Sequence, residues 1–435
     1  MNFIFLDNYR GFKETLIEIE SVNFLVGENS TGKTSVLGLL NLLSSSEFWM
    51  NREFNLRKIG LGTFKDVVSI GAEDKSYFSI GMVFDKPEKD DSKSIYAYMM
   101  TFVENEGVPK LSSIVSYKDN HEIRIKYFKE SIRYKHREIL YSGSAESFGK
   151  TKMKGWVNIH KTDTSGYSML QENKLFFKKN IPPIILLSYI ENQIAEEEGI
   201  TEKFNGAEIT SFFNDIAWLA PIRSKPRKTY DEYSLEFSPE GDHTPYLIKK
   251  KLGSKSESKE FNEQLKEIGK NSGLFKEVQI KNYGRGNTSP FELDIVLSEE
   301  PLSIGSVGYG VSQALPVIVE MFTRKNRSWF AIQQPEVHLH PKAQAALGEL
   351  IFDLASREEK NFVIETHSDY TIDRYRISCR KSKKIVSSQI LFFERTKKGN
   401  KLTAIKIDKN GDFSENQPES YREFFLKEEM ELLGL

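Results

Sequence analysis

Apolar and polar residues alternate through NFIFLDNY (2–9) and TLIEIE (15–20), the period-two pattern of half-buried strands. A more uniformly apolar strand, VNFLV (22–26), runs into the glycine turn GENSTGKT and then a leucine-rich helix, SVLGLLNLLSS (35–45). Strand, glycine turn and helix in that order make half of an α/β unit. Between about 60 and 185 the texture changes. Short β-like runs such as YFSIGMVF and SIYAYMMTFV alternate with charged turns and predict an antiparallel sheet on one edge. Residues 186–218 read as helical, WLAPIRSKPRKTY (218–230) as an ordered loop, and KEFNEQLKEIGKNSG (259–273) as a helix closed by its glycine. The α/β texture then returns: FELDIVL, a glycine-rich turn with a helix, SWFAIQQ, another helix, and FVIET. LFFERTKKGNKLTAIKID (391–408) reads as a closing hairpin.

This order predicts an α/β fold with one nucleotide-binding core split in the sequence. Its first part is 1–70, its last part 286–435, and a large α+β insertion occupies 71–285. No internal repeat or long low-complexity tract interrupts it.

The chain has 435 residues, 39% of them hydrophobic and 28% charged, which excludes collagen-like, disordered and disulfide-stapled classes. A net charge of -1 removes whole-molecule basicity as a drive toward nucleic acid and leaves only local patches. IRIKYFKESIRYKHREILY (123–141) is one such stretch, either a basic docking face or a solvated strand or helix face. The lone cysteine, Cys379, forbids an internal disulfide and fits a reducing compartment. No apolar run is long enough to span a bilayer, and the N-terminus lacks the pattern of a signal peptide, so a cytoplasmic address is expected.

Three motifs carry chemistry. Gly27, Glu28, Asn29, Ser30, Thr31, Gly32, Lys33 and Thr34, followed by Ser35, fit the phosphate-binding loop G-x-x-x-x-G-K-[ST] between a strand and a helix. The glycines let backbone N–H groups converge on phosphate, the helix N-terminus favours anions, Lys33 reaches the β- and γ-phosphates, and the Thr34 hydroxyl meets Mg²⁺. ATP or GTP is the expected ligand. Next, the strand SWFAIQQ ends in Gln333, Gln334 and Glu336, and the strand FVIET leads into His367, where a histidine can contact a γ-phosphate. Third, Ser306, Gly308 and Gly310 precede an apolar helix and make a second anion-binding helix start. His338 and His340 stand two apart, but no third ligand of suitable spacing accompanies them.

Together these motifs resemble the ABC-type ATPase heads of the RecF/SMC kind, and more closely the OLD-like ATPases of bacterial anti-phage defence operons, similar to the Septu and PARIS ATPase subunits. NYRGF with VNFLVGENSTGKTSVL resembles the start of such heads, SVGYGVSQALPVIVE their signature segment, QQPEVHLHP their Walker B and D-loop, and ETHSDY their switch-histidine strand. WLAPIRSKPRKTY and SPEGDHTPYL resemble linker motifs of the defence ATPases.

The resemblance implies an ABC-type P-loop NTPase head, a mixed central sheet with helices and an antiparallel edge. It implies ATP and Mg²⁺ as cofactors, with Lys33 and Thr34 on phosphate and metal. Ser306 and Gly308 would press on the partner subunit's γ-phosphate, and His367 would sense that of its own subunit. A head-to-head homodimer, or an assembly of dimers, follows. The family pattern has an acid where Gln333 stands, and often another at Gln334. Glutamine adds no charge to a metal site and cannot take a proton, so slow hydrolysis is expected, with Glu336 the surviving candidate acid.

Two functions compete. One is a defence ATPase that senses infection and controls a separate effector, a nuclease or toxin. The stretch after His367 is short for a fused TOPRIM domain and holds no D-x-D acid cluster. The other is a RecF-like ATPase of DNA repair or chromosome maintenance, with RSKPRK (223–228), KKKLGSK (249–255) and RKSKK (380–384) lining a phosphate groove. A membrane-transporter subunit fits less well, because the signature is not LSGGQ.

Overall fold

The computed structural model describes residues 2–50, 54, 61–87, 93–129, 131–170, 181–197, 216–231, 234–284, 286, 288–382, 384–397 and 399–423. The chain divides into two compact units. One holds Met1–Glu20, Glu28–Asn214 and Phe393–Leu402, the other Ser21–Gly27, Asp215–Phe392 and Thr403–Leu435.

The first unit is built on an eight-stranded sheet. Its strands are β1 (Asn2–Asp7), β2 (Thr15–Ile19), β4 (Tyr77–Pro87), β5 (Lys93–Asn105), β6 (Val108–Lys118), β7 (His121–Tyr127), β8 (Ile132–Glu138) and β9 (Ser168–Met169); β3 belongs to the other unit. Their order is β2-β1-β4-β5-β6-β7-β8-β9, antiparallel throughout, as the alternating texture predicts. β1 departs from the half-buried expectation. Phe3 and Phe5 join a core with Met99, Val115, Phe148 and Trp156, while Ile4 and Leu6 on its opposite face are also fully buried. It lies between β2 and β4 with both faces covered, so its polar-alternating appearance misleads.

The basic segment 123–141 forms β7 and β8, and part of its charge is consumed internally. Arg124 and Lys135 both pair with Asp163, and Lys126 donates to the carbonyls of His160 and Asp163.

The second unit is built on the six-stranded sheet of β3 (Val22–Gly27), β10 (Ile216–Leu219), β14 (Trp329–Gln333), β15 (Asn361–Glu365), β16 (Ser388–Thr396) and β17 (Gly399–Ile407), in the order β10-β14-β15-β3-β16-β17; of the last two strands, Phe393–Leu402 counts with the first unit. β10, β14, β15 and β3 run parallel, which requires helical crossovers and buries both faces. Phe24, Phe330, Ile332, Phe362 and Ile364 pack against Leu315, Ile318, Leu347, Ile351 and Tyr375 from the helices Tyr309–Thr323, Pro341–Glu358 and Asp369–Lys381. A three-stranded antiparallel sheet, β11 (Glu277–Asn282), β12 (Phe291–Val296) and β13 (Pro301–Ser303), adds Val278, Leu293 and Ile295 to the same core.

One expectation needs correcting. The helix expected over 186–218 is Pro183–Glu197, and IAWL (216–219) is instead strand β10, paired in parallel with β14; residues 198–215 lie outside the described part. Its alternate residues Ala217 and Leu219 are fully buried, so pairing with β14 decides its conformation.

Candidate nucleotide site

The phosphate-binding loop follows directly on β3. Gly27 at φ 140, Ser30 at φ 62 and Gly32 at φ 100 turn the backbone through left-handed conformations, the last as the N-cap of the helix Lys33–Ser44. In the first unit, Lys33 Nζ and Thr31 Oγ1 both donate to the Glu28 carbonyl at 2.7 Å. Lys33 is buried, whereas Glu28, Asn29, Ser30 and Thr34 are exposed. Arg395 donates to the Ser30 carbonyl at 2.8 Å. Behind the loop, NYRGF acts as a brace. Tyr9 donates to the Ser35 carbonyl, Arg10 to the Ser35 hydroxyl, and Asn400 donates from its backbone and side chain to the carbonyls of Gly11 and Arg10. A β-carbon on Gly32 would stand 2.7 Å from the Phe12 ring, so only glycine fits there.

In the second unit the C-terminal ends of β14 and β15 bring Gln333, Gln334, Glu336 and His367 together. Gln333 lies opposite Glu365 in the parallel register, and its Nε2 donates to Glu365 Oε2 at 3.4 Å. Gln334, held at φ 41, donates its N–H to the Glu365 carbonyl at 2.8 Å, an uncommon backbone for a residue preceding proline. The chain then folds back so that Glu336 Oε1 accepts the His367 N–H at 2.7 Å. Burial raises the Glu336 carboxyl above its usual range, against the lowering effect of that N–H and of Thr366 and Arg223.

Two participants escaped sequence reasoning. Glu365 sits inside ETHSDY, but its register against Gln333 shows only in the sheet. Arg223, in the loop after β10, is 2% exposed and donates from Nη2 to the Gln333 carbonyl at 3.1 Å. Its own N–H and C=O are clamped by the Gln313 amide, at 3.1 and 3.4 Å. Burial pushes the guanidinium down to about 10, against the pull of Glu336. An arginine between two prolines in LAPIRSKP was the available signal.

The segment 303–316 forms a short 3₁₀ turn, Ile304–Ser306, and then the helix Tyr309–Thr323 capped by Gly308. Ser306 and Gly308 are exposed, and no atom of the described residues lies within 4 Å of where a β-carbon on Gly308 would sit. Gly310 is different: a β-carbon there would stand 2.9 Å from the His338 carbonyl. His338, itself at φ 66, also meets the Tyr309 ring edge-on at 5.6 Å. These contacts join the helix start to VHLHP. His338 and His340 are both exposed.

Among the described residues no group of three or more His, Cys, Asp and Glu could hold a metal. The motifs offer magnesium neutral oxygens, the exposed Thr34 hydroxyl in the first unit and, separately, the Gln333 side-chain carbonyl in the second. Magnesium keeps several waters and takes its charge balance from substrate phosphates, so either donor fits it only with nucleotide bound.

A glycine loop between a parallel strand and a helix, in an α/β protein, defines a P-loop NTPase. The chain belongs to the AAA ATPase domain family, whose model matches residues 1–372, and it is an ATPase by that membership. No curated protein sequence matches it. Among solved structures it is similar to the SMC head domain from Thermotoga maritima, at 9% identity over 92% of this chain and 97% of that one, with a TM-score of 0.37. The Smc head domain bound to the C-terminal domain of ScpA, from Pyrococcus furiosus, gives 11% identity, 100% and 99% coverage, and a TM-score of 0.38. The recombination mediator RecF gives 13% identity, 89% and 95% coverage, and a TM-score of 0.28. No described helix is long and apolar enough to cross a membrane.

Proposed function

We propose that this protein is an ATP-gated dimeric switch with slow hydrolysis, serving a bacterial anti-phage defence system by holding a separate effector, a nuclease or toxin. The observation that carries this reading is the end of β14, where the side chains following the strand are two amides. Gln333 is buried and bonded to Glu365, so the position that would present a carboxylate presents a neutral group. Lys33 binds the β- and γ-phosphates, and backbone N–H groups of Gly27 to Thr34 cradle them. Thr34 in the first unit would hold magnesium, and Gln333 is the second unit's candidate ligand for it; when bound, the ion would supply charge neutralisation on the phosphates. Ser306, Gly308 and Gly310 carry the helix start offered to the nucleotide of a second subunit, and His367 senses the terminal phosphate of its own. Glu336 is an acid at the strand ends able to accept a proton from water, and burial, by raising its pKa above the usual range, makes it a stronger base.

The competing RecF-like reading needs free basic clusters. In the second unit several of those charges are engaged: Arg223 in the strand-end cluster, Lys249 on the Ser289 carbonyl, Arg380 on Asp412 and Lys384 on the Ser356 carbonyl. Light scattering with and without ATP, together with ATPase assays with duplex DNA, separates the two. The switch reading expects an ATP-dependent dimer and a rate indifferent to DNA. DNA stimulation that falls steeply between about 50 and 200 mM salt would establish the RecF-like function instead.

A further inference from the structure

Three polar atoms of the strand-end cluster are buried with no hydrogen-bond partner among the described residues: Nε and Nη1 of Arg223 and Oε2 of Glu336. Buried polar groups are nearly always bonded, and those of a charged group most of all. Arg223 cannot relieve the deficit by moving, because Gln313 clamps its backbone and its Nη2 is tied to the Gln333 carbonyl. Nor can it shed its proton, since an arginine stays charged in the neutral range. Glu336 is fixed as firmly through Oε1 on the His367 N–H, and the two side chains lie within electrostatic reach without bonding each other. A cation with two spare N–H donors beside one spare carboxyl oxygen matches a group that carries both negative oxygens and a hydroxyl. Water matches it less well, because it lacks the charge that a buried guanidinium calls for.

We propose that Arg223 and Glu336 form a phosphoryl-oxyanion site in the second unit, with Arg223 Nε and Nη1 donating to phosphoryl oxygens and Glu336 Oε2 accepting from a phosphoryl hydroxyl. The inference rests on the nucleotide reading above and names two residues as its phosphate recognisers. The clamp gives the site a second property. The signature-like helix, through Gln313, sets the position of Arg223, so movement of that helix is transmitted to the phosphoryl site.

The phosphoryl group is either the terminal one of ATP or the free phosphate left by hydrolysis, and two measurements on the full chain tell them apart. Affinities for ADP and for the non-hydrolysable imidodiphosphate analogue of ATP are measured with magnesium, and inhibition by inorganic phosphate is measured in the ATPase assay. For Arg223→Gln, a loss of about tenfold or more in the affinity for the ATP analogue, with ADP unchanged within about twofold, places the terminal phosphoryl there. Loss of phosphate inhibition with the affinity for the analogue retained places the product there. If Arg223→Gln does not fold, Arg223→Lys is read by the same ratios, with a smaller loss because its single ammonium replaces the spread donors. Should the ratio of analogue to ADP affinity and the phosphate inhibition both stay within about twofold in the folded variant, the site is merely hydrated and the proposal fails. A wild-type chain that binds no nucleotide at all would instead defeat the underlying reading.

Discussion

The two ends of the chemistry are built in opposite ways. The phosphate-binding loop is a contiguous stretch whose polar groups are largely satisfied close at hand: Lys33 and Thr31 on the Glu28 carbonyl, Arg395 on that of Ser30. The strand-end cluster is assembled from four separated stretches, around residues 223, 313, 333–336 and 365–367, and keeps unpartnered atoms on Arg223 and Glu336. A loop that satisfies itself is a generic phosphate cradle, ready before its ligand arrives. A cluster that keeps buried deficits is, on the proposed reading, the part that a ligand would complete.

The comparison is broken most forcefully from the loop side. Lys33→Ala removes the only side-chain cation within Gly27–Thr34, and ATP affinity and turnover are expected to fall by about 100-fold or more, checked by equilibrium binding and a phosphate-release assay. Retained affinity would mean that the strand-end cluster, not the loop, dominates nucleotide binding.

A second, smaller effect concerns how the cluster's helix is held. Glu320, on the helix that carries Gln313, is buried and bonded to His243 at 2.6 Å and to Arg324 at 2.6 Å. Burial raises its pKa, but the His243 and Arg324 bonds outweigh that and leave it below the usual glutamate range. A depressed folded pKa stabilises the fold above the unfolded value, near 4.3, and the contribution is lost as pH falls through the folded value. His243→Ala, which leaves that buried carboxylate with Arg324 as its remaining named partner, should cost about 1–3 kcal/mol in urea unfolding at pH 7. Below about pH 4 the gap to wild type should narrow, because the wild type loses this term as Glu320 takes up its proton. A gap independent of pH would assign the loss to packing alone.

Smaller again is Gly310→Ala. Its β-carbon would press on the His338 carbonyl, so a loss of about 1–3 kcal/mol is expected in thermal unfolding without nucleotide. An unchanged stability would show that this contact relaxes at no cost.

How much of this was legible in the sequence follows the same divide. The loop, its strand and its helix are contiguous, so spacing and periodicity carry them. Gln333, Gln334, Glu336 and His367 were legible as strand ends. Arg223 and Glu365 were not, because a parallel register and a hydrogen bond from the loop after β10 to the end of β14 are long-range facts that no local pattern encodes. IAWL reads as part of a helix because four apolar residues have no readable period until β14 pairs with them. β1 reads as half-buried because alternation in sequence cannot show that a second layer covers the other face. The basic run 123–141 hid its main partner, Asp163, which lies well outside the run.

The central claim is that amides at the end of β14 slow an otherwise complete ATPase, and single-turnover hydrolysis of prebound ATP tests it most directly. Gln333→Glu supplies a carboxylate that can bind magnesium's water and accept a proton, and the account predicts that it speeds turnover by about tenfold or more, with ATP affinity preserved. An unchanged rate in a folded, ATP-binding Gln333→Glu chain would contradict it.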